Sequence, residues 1–313
     1  MPDTIDMTIS ACRDLTPLIR EYVLSPVTSD PLPSAEPGAH IPVLSPSGAW
    51  RQYSLTDPSE APETYRIAIK READGRGGSS SIHDTWDVGT SVTIQPPSND
   101  FPLGKAPKYL LIAGGIGVTP IYSMAQALVS QDADVRMIYC TRSAADTAYR
   151  TELEDLLGDR LTLHHDAGDP DQVYDFWDIF AEPQMMHVYC CGPAPLMEEI
   201  GDISGHWPED RMNFEDFAGV EAVRADDTAF EVTLNKSGKT LAVPADKSIL
   251  EALREAGKIV PSSCESGTCG TCKCGLVSGE ADHRDMVLMD EEKSDYIMIC
   301  VSRAMSGALV LDL

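Results

Sequence analysis

Cys264-Glu-Ser-Gly-Thr-Cys269-Gly-Thr-Cys272, answered far downstream by Cys300, decides how this chain is read. The spacing C-x4-C-x2-C with one distant cysteine is that by which four thiolates hold a [2Fe–2S] cluster. Three ligands on one short loop force the backbone to curl around an inorganic core. Gly267, Thr268, Gly270 and Thr271 leave it room, the glycines by tolerating positive φ. Structural zinc sites instead set their ligands in two short pairs, which one loop and a lone Cys300 do not match. Cys274 would be a fifth thiolate and has no place among four ligands. The expected metal ligands are Cys264, Cys269, Cys272 and Cys300.

Outward from that loop, 313 residues suggest two or three domains. With 42% hydrophobic and 24% charged residues the composition is that of a globular protein. No run of about 18 apolar residues exists, so no membrane span is expected. The N-terminus has no basic or apolar leader, and a cytoplasmic location is expected. Nine cysteines in a reducing compartment point to metal ligation rather than disulfides. A net charge of −26 argues against nucleic acid and anionic membranes as partners. It suits steering towards a protein partner, or simple solubility.

Residues 1–102 read as β-rich. Short apolar or alternating runs at 19–24, 41–44, 65–70 and 91–94 are separated by Pro, Gly and Ser clusters, the pattern of a barrel or sandwich. One further strand, Arg51-Gln-Tyr53-Ser54-Leu55, carries chemistry. Alternate strand residues share a face, so Arg51 and Tyr53 can meet one ligand, the guanidinium on a phosphate and the ring by stacking. Gly75-Arg-Gly77-Gly78-Ser79-Ser80-Ser81 opens a short helical stretch whose free amides can bind an anion. Taken alone, such a loop is more often an ordinary turn.

Past Phe101-Pro-Leu-Gly104 the pattern changes. An apolar strand-length run, 108–113, leads into Gly114-Gly115-Ile-Gly117-Val-Thr119-Pro120 and a helix-length stretch at 121–129. Further apolar runs at 135–140, 161–165 and 187–191 alternate with helix lengths, which means a parallel sheet covered on both faces. Ligands of such sheets sit at the carboxyl ends of the strands. The glycines stand at such an end, where bare backbone can approach a pyrophosphate. The motif is G-G-x-G-x-T-P, not the G-x-G-x-x-G fingerprint. Cys191-Gly192-Pro193 ends another strand in the same way. Cys191 either belongs to the site or is a buried core thiol, as Cys190 and Cys140 are expected to be. His164 and His165 read as strand-end packing.

Residues 220–227 are polar and acidic and read as a linker. Runs at 229–234 and 239–243 flank Asn235-Lys-Ser-Gly238, a hairpin signature. Ser248, with Glu251 three residues on and Gly257 as the stop, brackets a capped helix. A terminal strand is expected at 308–313. Arg284, Asp285, Met286 and Asp290-Glu-Glu292 either face a partner or form a solvated charged surface.

Arg51-Gln-Tyr53-Ser54-Leu55 and Gly77-Gly78-Ser79-Ser80 resemble the flavin domain of the ferredoxin reductase superfamily. That resemblance implies a six-stranded antiparallel barrel. It places Arg51 and the Gly/Ser loop (Gly77, Gly78, Ser79, Ser80) on the flavin phosphate, Tyr53 on the ring and Ser54 near the reactive ring nitrogen. Ala68, Ile69 and Lys70 would lie on the strand passing under the flavin. In the same superfamily G-G-x-G-x-T-P and C-G-P are pyridine-nucleotide motifs. Gly114, Gly115, Gly117, Thr119 and Pro120 would then cradle the pyrophosphate, and Cys191, Gly192 and Pro193 would stand beside the nicotinamide. Asp166 ends the third strand of this domain. There it either holds the adenine ribose or is an ordinary loop aspartate. Arg142 alone offers a positive charge for a 2′-phosphate, so NADH is favoured over NADPH. Phe217 is the candidate aromatic returning to the flavin face, with Phe214 as a core-facing alternative. The C-terminal part looks like a plant-type ferredoxin.

Together the order of parts resembles the phthalate dioxygenase reductase family, which takes in vanillate O-demethylase reductases, over essentially the whole chain. The implied architecture is multi-domain. It comprises an antiparallel β-barrel FMN domain (1–102), an α/β parallel-sheet NAD domain (103–224) and an α+β β-grasp [2Fe–2S] ferredoxin domain (225–313). The implied function is that of a reductase in aromatic catabolism. NADH gives a hydride to FMN, and single electrons pass through the cluster to a separate terminal Rieske-type oxygenase. Ser54, Cys191 and Glu215 are the residues expected to tune flavin and nicotinamide, and a monomer is the implied default. The rival enzymatic reading is a stand-alone reductase for a quinone, an iron chelate or a cytochrome P450. The non-enzymatic rival is a carrier or redox sensor with a vestigial flavin site.

Overall fold

The computed structural model describes residues 4–313 except 49, 74–76, 218–221, 225, 263, 264, 266, 268, 269 and 306. The chain divides into two units, Met1–Phe217 and Ala218–Leu313.

The first unit begins with β1 (Ile5–Asp14), β2 (Ile19–Pro26), β3 (His40–Leu44), β4 (Trp50–Ser54), β5 (Tyr65–Lys70), α1 (Gly78–Thr85) and β6 (Ser91–Ile94). The sheet order is β4-β3-β6-β1-β2-β5, with every pairing antiparallel. A bridge from Leu55 to Ile67 joins the two ends and closes the barrel. Its interior holds Met7, Ile9, Tyr22, Leu24, Ile41, Val43, Tyr65 and Ile67, aliphatic members contributing roughly 1.5–3 kcal/mol each by burial. β1 escapes sequence reading because only Met7 and Ile9 of its ten residues are buried.

There follow β7 (Tyr109–Gly114), α2 (Val118–Ser130), β8 (Val135–Thr141), α3 (Arg150–Leu157), β9 (Leu161–His165), α4 (Trp177–Phe180), β10 (His187–Cys191), α5 (Ala194–Ser204) and β11 (Met212–Glu215). The order β11-β10-β7-β8-β9 is parallel throughout. Every residue of β7 is buried, as a central strand requires when helices cover both faces. Val118, Met124, Leu128, Leu153 and Leu157 of α2 and α3 pack in one cluster. Phe180 and Ile200 of α4 and α5 pack in another. The strand order reverses between β7 and β10, which opens a crevice at their carboxyl ends.

Barrel and parallel sheet share one core, since Ile19 and Ala68 join the α2–α3 cluster. Thr56, just past β4, accepts Gln126 Nε2 on its carbonyl at 2.7 Å and Tyr149 Oη on its hydroxyl at 3.5 Å. Arg13 bridges Glu21 of the barrel and Glu152 of α3, each at 2.8 Å.

The second unit comprises β12 (Phe230–Leu234), β13 (Lys239–Val243), α6 (Ile249–Glu255), β14 (Lys273–Ser278), β15 (Ala281–Asp282), β16 (Tyr296–Met298), β17 (Arg303–Ala304) and β18 (Ala308–Leu311). In the order β13-β12-β18-β14-β16, β12 and β18 run parallel and the other pairs antiparallel, a β-grasp sheet with α6 across it. Ser248 and Glu251 form the expected capping box on α6, and Gly257 ends it at φ 74°.

Two expectations are corrected here. The segment read as a linker is tied down where it is described. Asp227 accepts two hydrogen bonds from Arg284 and pairs with Arg303 at 3.4 Å, while Arg284 also reaches the Ala222 carbonyl at 3.1 Å. Arg284 and Asp285 accordingly face neither a partner nor solvent. Arg284 is buried, and the Asp285 side chain, fully buried, accepts the Val287 and Leu288 amides.

Candidate functional site

At the barrel's edge, Ser54 is buried and its Oγ finds no hydrogen-bond partner among the described residues. A buried hydroxyl without a partner costs about 1–3 kcal/mol, so the position fits one that a bound group completes. Gly77 caps α1 in the left-handed region at φ 80°, and its neighbour Gly78 lies under Arg51. A Cβ at Gly78 would stand 3.1 Å from Arg51 Nε. Arg51 and the start of α1 therefore converge, as a phosphate cradle needs. The serine side chains are engaged with their own chain: Ser79 Oγ accepts the Glu72 amide and Ser80 Oγ donates to the Glu72 carbonyl. What this loop can present to a ligand is chiefly backbone. Tyr53 packs partly against the barrel core, Ala68 and Ile69 are buried, and Lys70 pairs with Glu72 at 2.6 Å.

At the parallel sheet, two loops meet at the crevice. A Cβ on Gly117 would stand 2.2 Å from the Cys191 carbonyl oxygen, one on Gly114 2.6 Å from Pro193 Cδ, and one on Gly192 3.0 Å from Gly114 Cα. These three glycines are required by the mutual approach of the loops, a reason that sequence reading did not supply. Gly115 differs: at φ +53° it has open space around it. It remains the glycine past which a ligand can reach backbone. Thr119 is buried with its hydroxyl on the Ile116 carbonyl at 3.1 Å, and Pro120 is buried in the first turn of α2.

Cys191 and Glu215 end adjacent strands, in register with each other and with Ala113 near the end of β7. Burial pushes the Cys191 thiol well up, with Glu215 adding to it. The Glu215 carboxyl is pushed up to about 8, by desolvation and then by Asp100, and its Oε2 is unpartnered among the described residues. Phe217 is 43% exposed, and Phe214 is 40% exposed on an edge strand, so Phe214 is not the core residue expected. Asp166 is half-buried beyond β9 and accepts the Gly168 amide at 2.7 Å, holding its own turn beside Arg142. The hydroxyl of Tyr139 in β8, which sequence reading passed over, reaches the Gly115 carbonyl at 3.0 Å. Its one signal was a phenol inside a largely apolar strand.

In the second unit Cys272 and Cys300 are buried with their sulfurs 2.9 Å apart, beyond the roughly 2.05 Å of a disulfide. Gly267 and Gly270 adopt φ of 78° and 77°, and a Cβ on Gly267 would meet Val301 Cγ2 at 2.8 Å. Gly267 and Gly270 thus adopt the backbone that a tightly curled loop needs, and Gly267 leans on the segment around Cys300. Cys264 and Cys269 lie outside the described residues. Cys274 is buried, with its sulfur on the Gly275 carbonyl.

The fold and these sites define a pyridine-nucleotide-dependent iron–sulfur oxidoreductase. Residues 232–305 match the 2Fe-2S iron-sulfur cluster binding domain, and residues 111–202 match the oxidoreductase NAD-binding domain. The chain belongs to the phthalate dioxygenase reductase family. It is 47% identical to phthalate dioxygenase reductase of Burkholderia cepacia, over 94% of this chain and 93% of that one. It is 40% identical to the vanillate O-demethylase oxidoreductase of Pseudomonas sp. (strain HR199 / DSM 7063), over 99% and 100%. A solved phthalate dioxygenase reductase, described as a modular structure for electron transfer from pyridine nucleotides to [2Fe–2S], superposes with a TM-score of 0.86 at 46% identity, covering 99% of this chain and 98% of that one. An intact type IV self-sufficient cytochrome P450 monooxygenase gives 0.77 at 34%, covering 99% of this chain but 41% of that one.

Proposed function

We propose that this protein is the reductase component of a Rieske-type oxygenase system, working as a cytoplasmic monomer that takes a hydride from NADH and passes single electrons to a separate terminal oxygenase acting on an aromatic acid. The observation that carries this is the full-length likeness to phthalate dioxygenase reductase, joined to three sites that each suit one cofactor. FMN and the [2Fe–2S] cluster supply the conversion of one two-electron donor into two one-electron deliveries.

The chain's own residues bind and orient. Arg51 and the amides opening α1 hold the flavin phosphate, and Ser54 Oγ donates to the flavin ring edge. Gly115 and the amides opening α2 hold the dinucleotide pyrophosphate, and Asp166 the adenine ribose. Cys191, uncharged at neutral pH, packs against the nicotinamide without repelling its electron-rich ring. Glu215 keeps a proton on its carboxyl below about pH 8, which makes it a hydrogen-bond donor at the same edge. Cys264, Cys269, Cys272 and Cys300 hold the irons. No general acid or base is needed to move a hydride onto the flavin, so these residues act by position and charge.

The test is anaerobic addition of limiting NADH to the purified protein, followed by visible absorption and low-temperature EPR. Flavin bleaching with a reduced [2Fe–2S] signal is expected. Bleaching without a cluster signal would reduce the protein to a flavin reductase, and no bleaching with NADH or NADPH would sink the reading. The likeness to part of a P450 monooxygenase favours one second acceptor, a haem protein, which a parallel cytochrome P450 reduction assay would detect.

A further inference from the structure

Glycines confer freedom that a binding turn must not have. At φ +53° with open space around it, Gly115 can rotate its following peptide at little steric cost. The two groups of that peptide point in opposite directions, because a trans amide holds C=O and N–H on opposite sides. If the Gly115 carbonyl turns outward, an anion meets an oxygen; if it turns inward, the anion meets the Ile116 amide.

The carbonyl is held inward from two sides. Val118, at the junction of the Gly115–Gly117 turn with α2, donates its amide to it. Tyr139 donates its hydroxyl to it at 3.0 Å. Tyr139 is fully buried on β8, level with Ala113 of β7, and packs in the same core cluster as Ala148. The phenol is thus fixed by the sheet on one side and by the segment before α3 on the other.

We propose that Tyr139 is a positioning residue for the pyridine nucleotide: by anchoring the Gly115 carbonyl inward it fixes the Ile116 amide outward, so that the turn presents donors rather than an acceptor to the pyrophosphate. The inference rests on reading the Gly114–Pro120 segment as the pyrophosphate cradle. It predicts an effect on binding and none on chemistry, because Tyr139 touches neither the nicotinamide nor the flavin site.

A control exists in the same sheet. Tyr109, at the opposite end of β7, likewise donates its hydroxyl to a backbone carbonyl, that of Gly104 at 3.1 Å, while accepting the Ala106 amide at 2.7 Å. In flavin-loaded protein reducing ferricyanide, Tyr139→Phe should raise the KM for NADH and the inhibition constant of ADP-ribose about five- to tenfold, the worth of one net hydrogen bond, with kcat unchanged. Tyr109→Phe should move neither constant. Gly115→Ala, strained at its φ, should weaken ADP-ribose further. If Gly115→Ala weakens ADP-ribose and Tyr139→Phe does not, the positioning role is wrong and the cradle stands. If neither change weakens it, the cradle itself is misplaced and the proposal falls with it. Equal effects of Tyr139→Phe and Tyr109→Phe, or a loss confined to kcat, would reduce Tyr139 to packing.

Discussion

Cys191 and Glu215 end neighbouring parallel strands directly opposite one another, a thiol and a carboxyl both held in their uncharged forms. The same desolvation keeps both neutral, and each would disfavour a charge on the other. The edge proposed to accept the nicotinamide ring is thereby kept free of fixed negative charge.

Glu215 gives a pH signature. Its carboxyl sits at about 8 when folded against 4.5 ordinarily. Below the ordinary value it is neutral in both states and the folded protein loses nothing. As pH rises towards 8 the unfolded chain ionises first, so the contribution to stability falls by roughly 1.4 kcal/mol per pH unit and then levels off. Glu215→Gln should remove that slope. Urea midpoints of variant and wild type should diverge between about pH 5 and about pH 8, and parallel curves would refute the assignment.

Gly117→Ala forces a Cβ to within 2.2 Å of the Cys191 carbonyl, where backbone has to move. Overpacking of this kind costs about 1–3 kcal/mol, and here the displaced backbone is the proposed nucleotide crevice. A lowered melting temperature together with more than about tenfold weaker ADP-ribose binding is expected, about 1.4 kcal/mol at the site. Unchanged binding would mean that the two loops are not the nucleotide site.

Cys274→Ser and Cys300→Ser should part company. Cys274 is buried beside the cluster loop, yet its sulfur is engaged with its own chain at the Gly275 carbonyl. Iron content and the EPR signal of the reduced protein should survive Cys274→Ser and be lost in Cys300→Ser. The reverse result would redraw the ligand set.

Asp227→Asn should destabilise the iron–sulfur unit by about 3 kcal/mol, as removing one partner of a buried ion pair does. The side chains of Arg284 and Asp227 are 5% and 7% exposed. Arg284 holds the Asp227 carboxyl down to about 2 against 3.8 ordinarily. The pair's contribution is therefore complete above 3.8 and is lost as pH falls towards 2. Denaturation followed by the cluster's visible absorption would measure it, and a wild-type midpoint in Asp227→Asn would remove the claim.

How much of this was legible depended on the range of each interaction. The cysteine spacing and the alternation of apolar runs with helices are local patterns, and both reappear as a β-grasp unit and a parallel sheet. Gly114, Gly117 and Gly192 were visible as a motif, but their reason was not, because it lies in the meeting of two loops far apart in sequence. Asp227 looked like linker because its partners Arg284 and Arg303 come much later in the chain. Phe214 looked like core because edge position is a property of the whole sheet. The Ser54 hydroxyl announced itself only through a resemblance, since an unmet hydrogen bond is a fact of three dimensions.

The anchoring of Asp227 also marks where the iron–sulfur part can be cut out. A fragment beginning after Thr228 would keep every proposed iron ligand yet leave Arg284 and Arg303 without the carboxylate that both reach. A graft onto another chain, or an excised electron carrier, has to begin ahead of Ala222, whose carbonyl Arg284 also holds. The portable cassette is longer than its family signature.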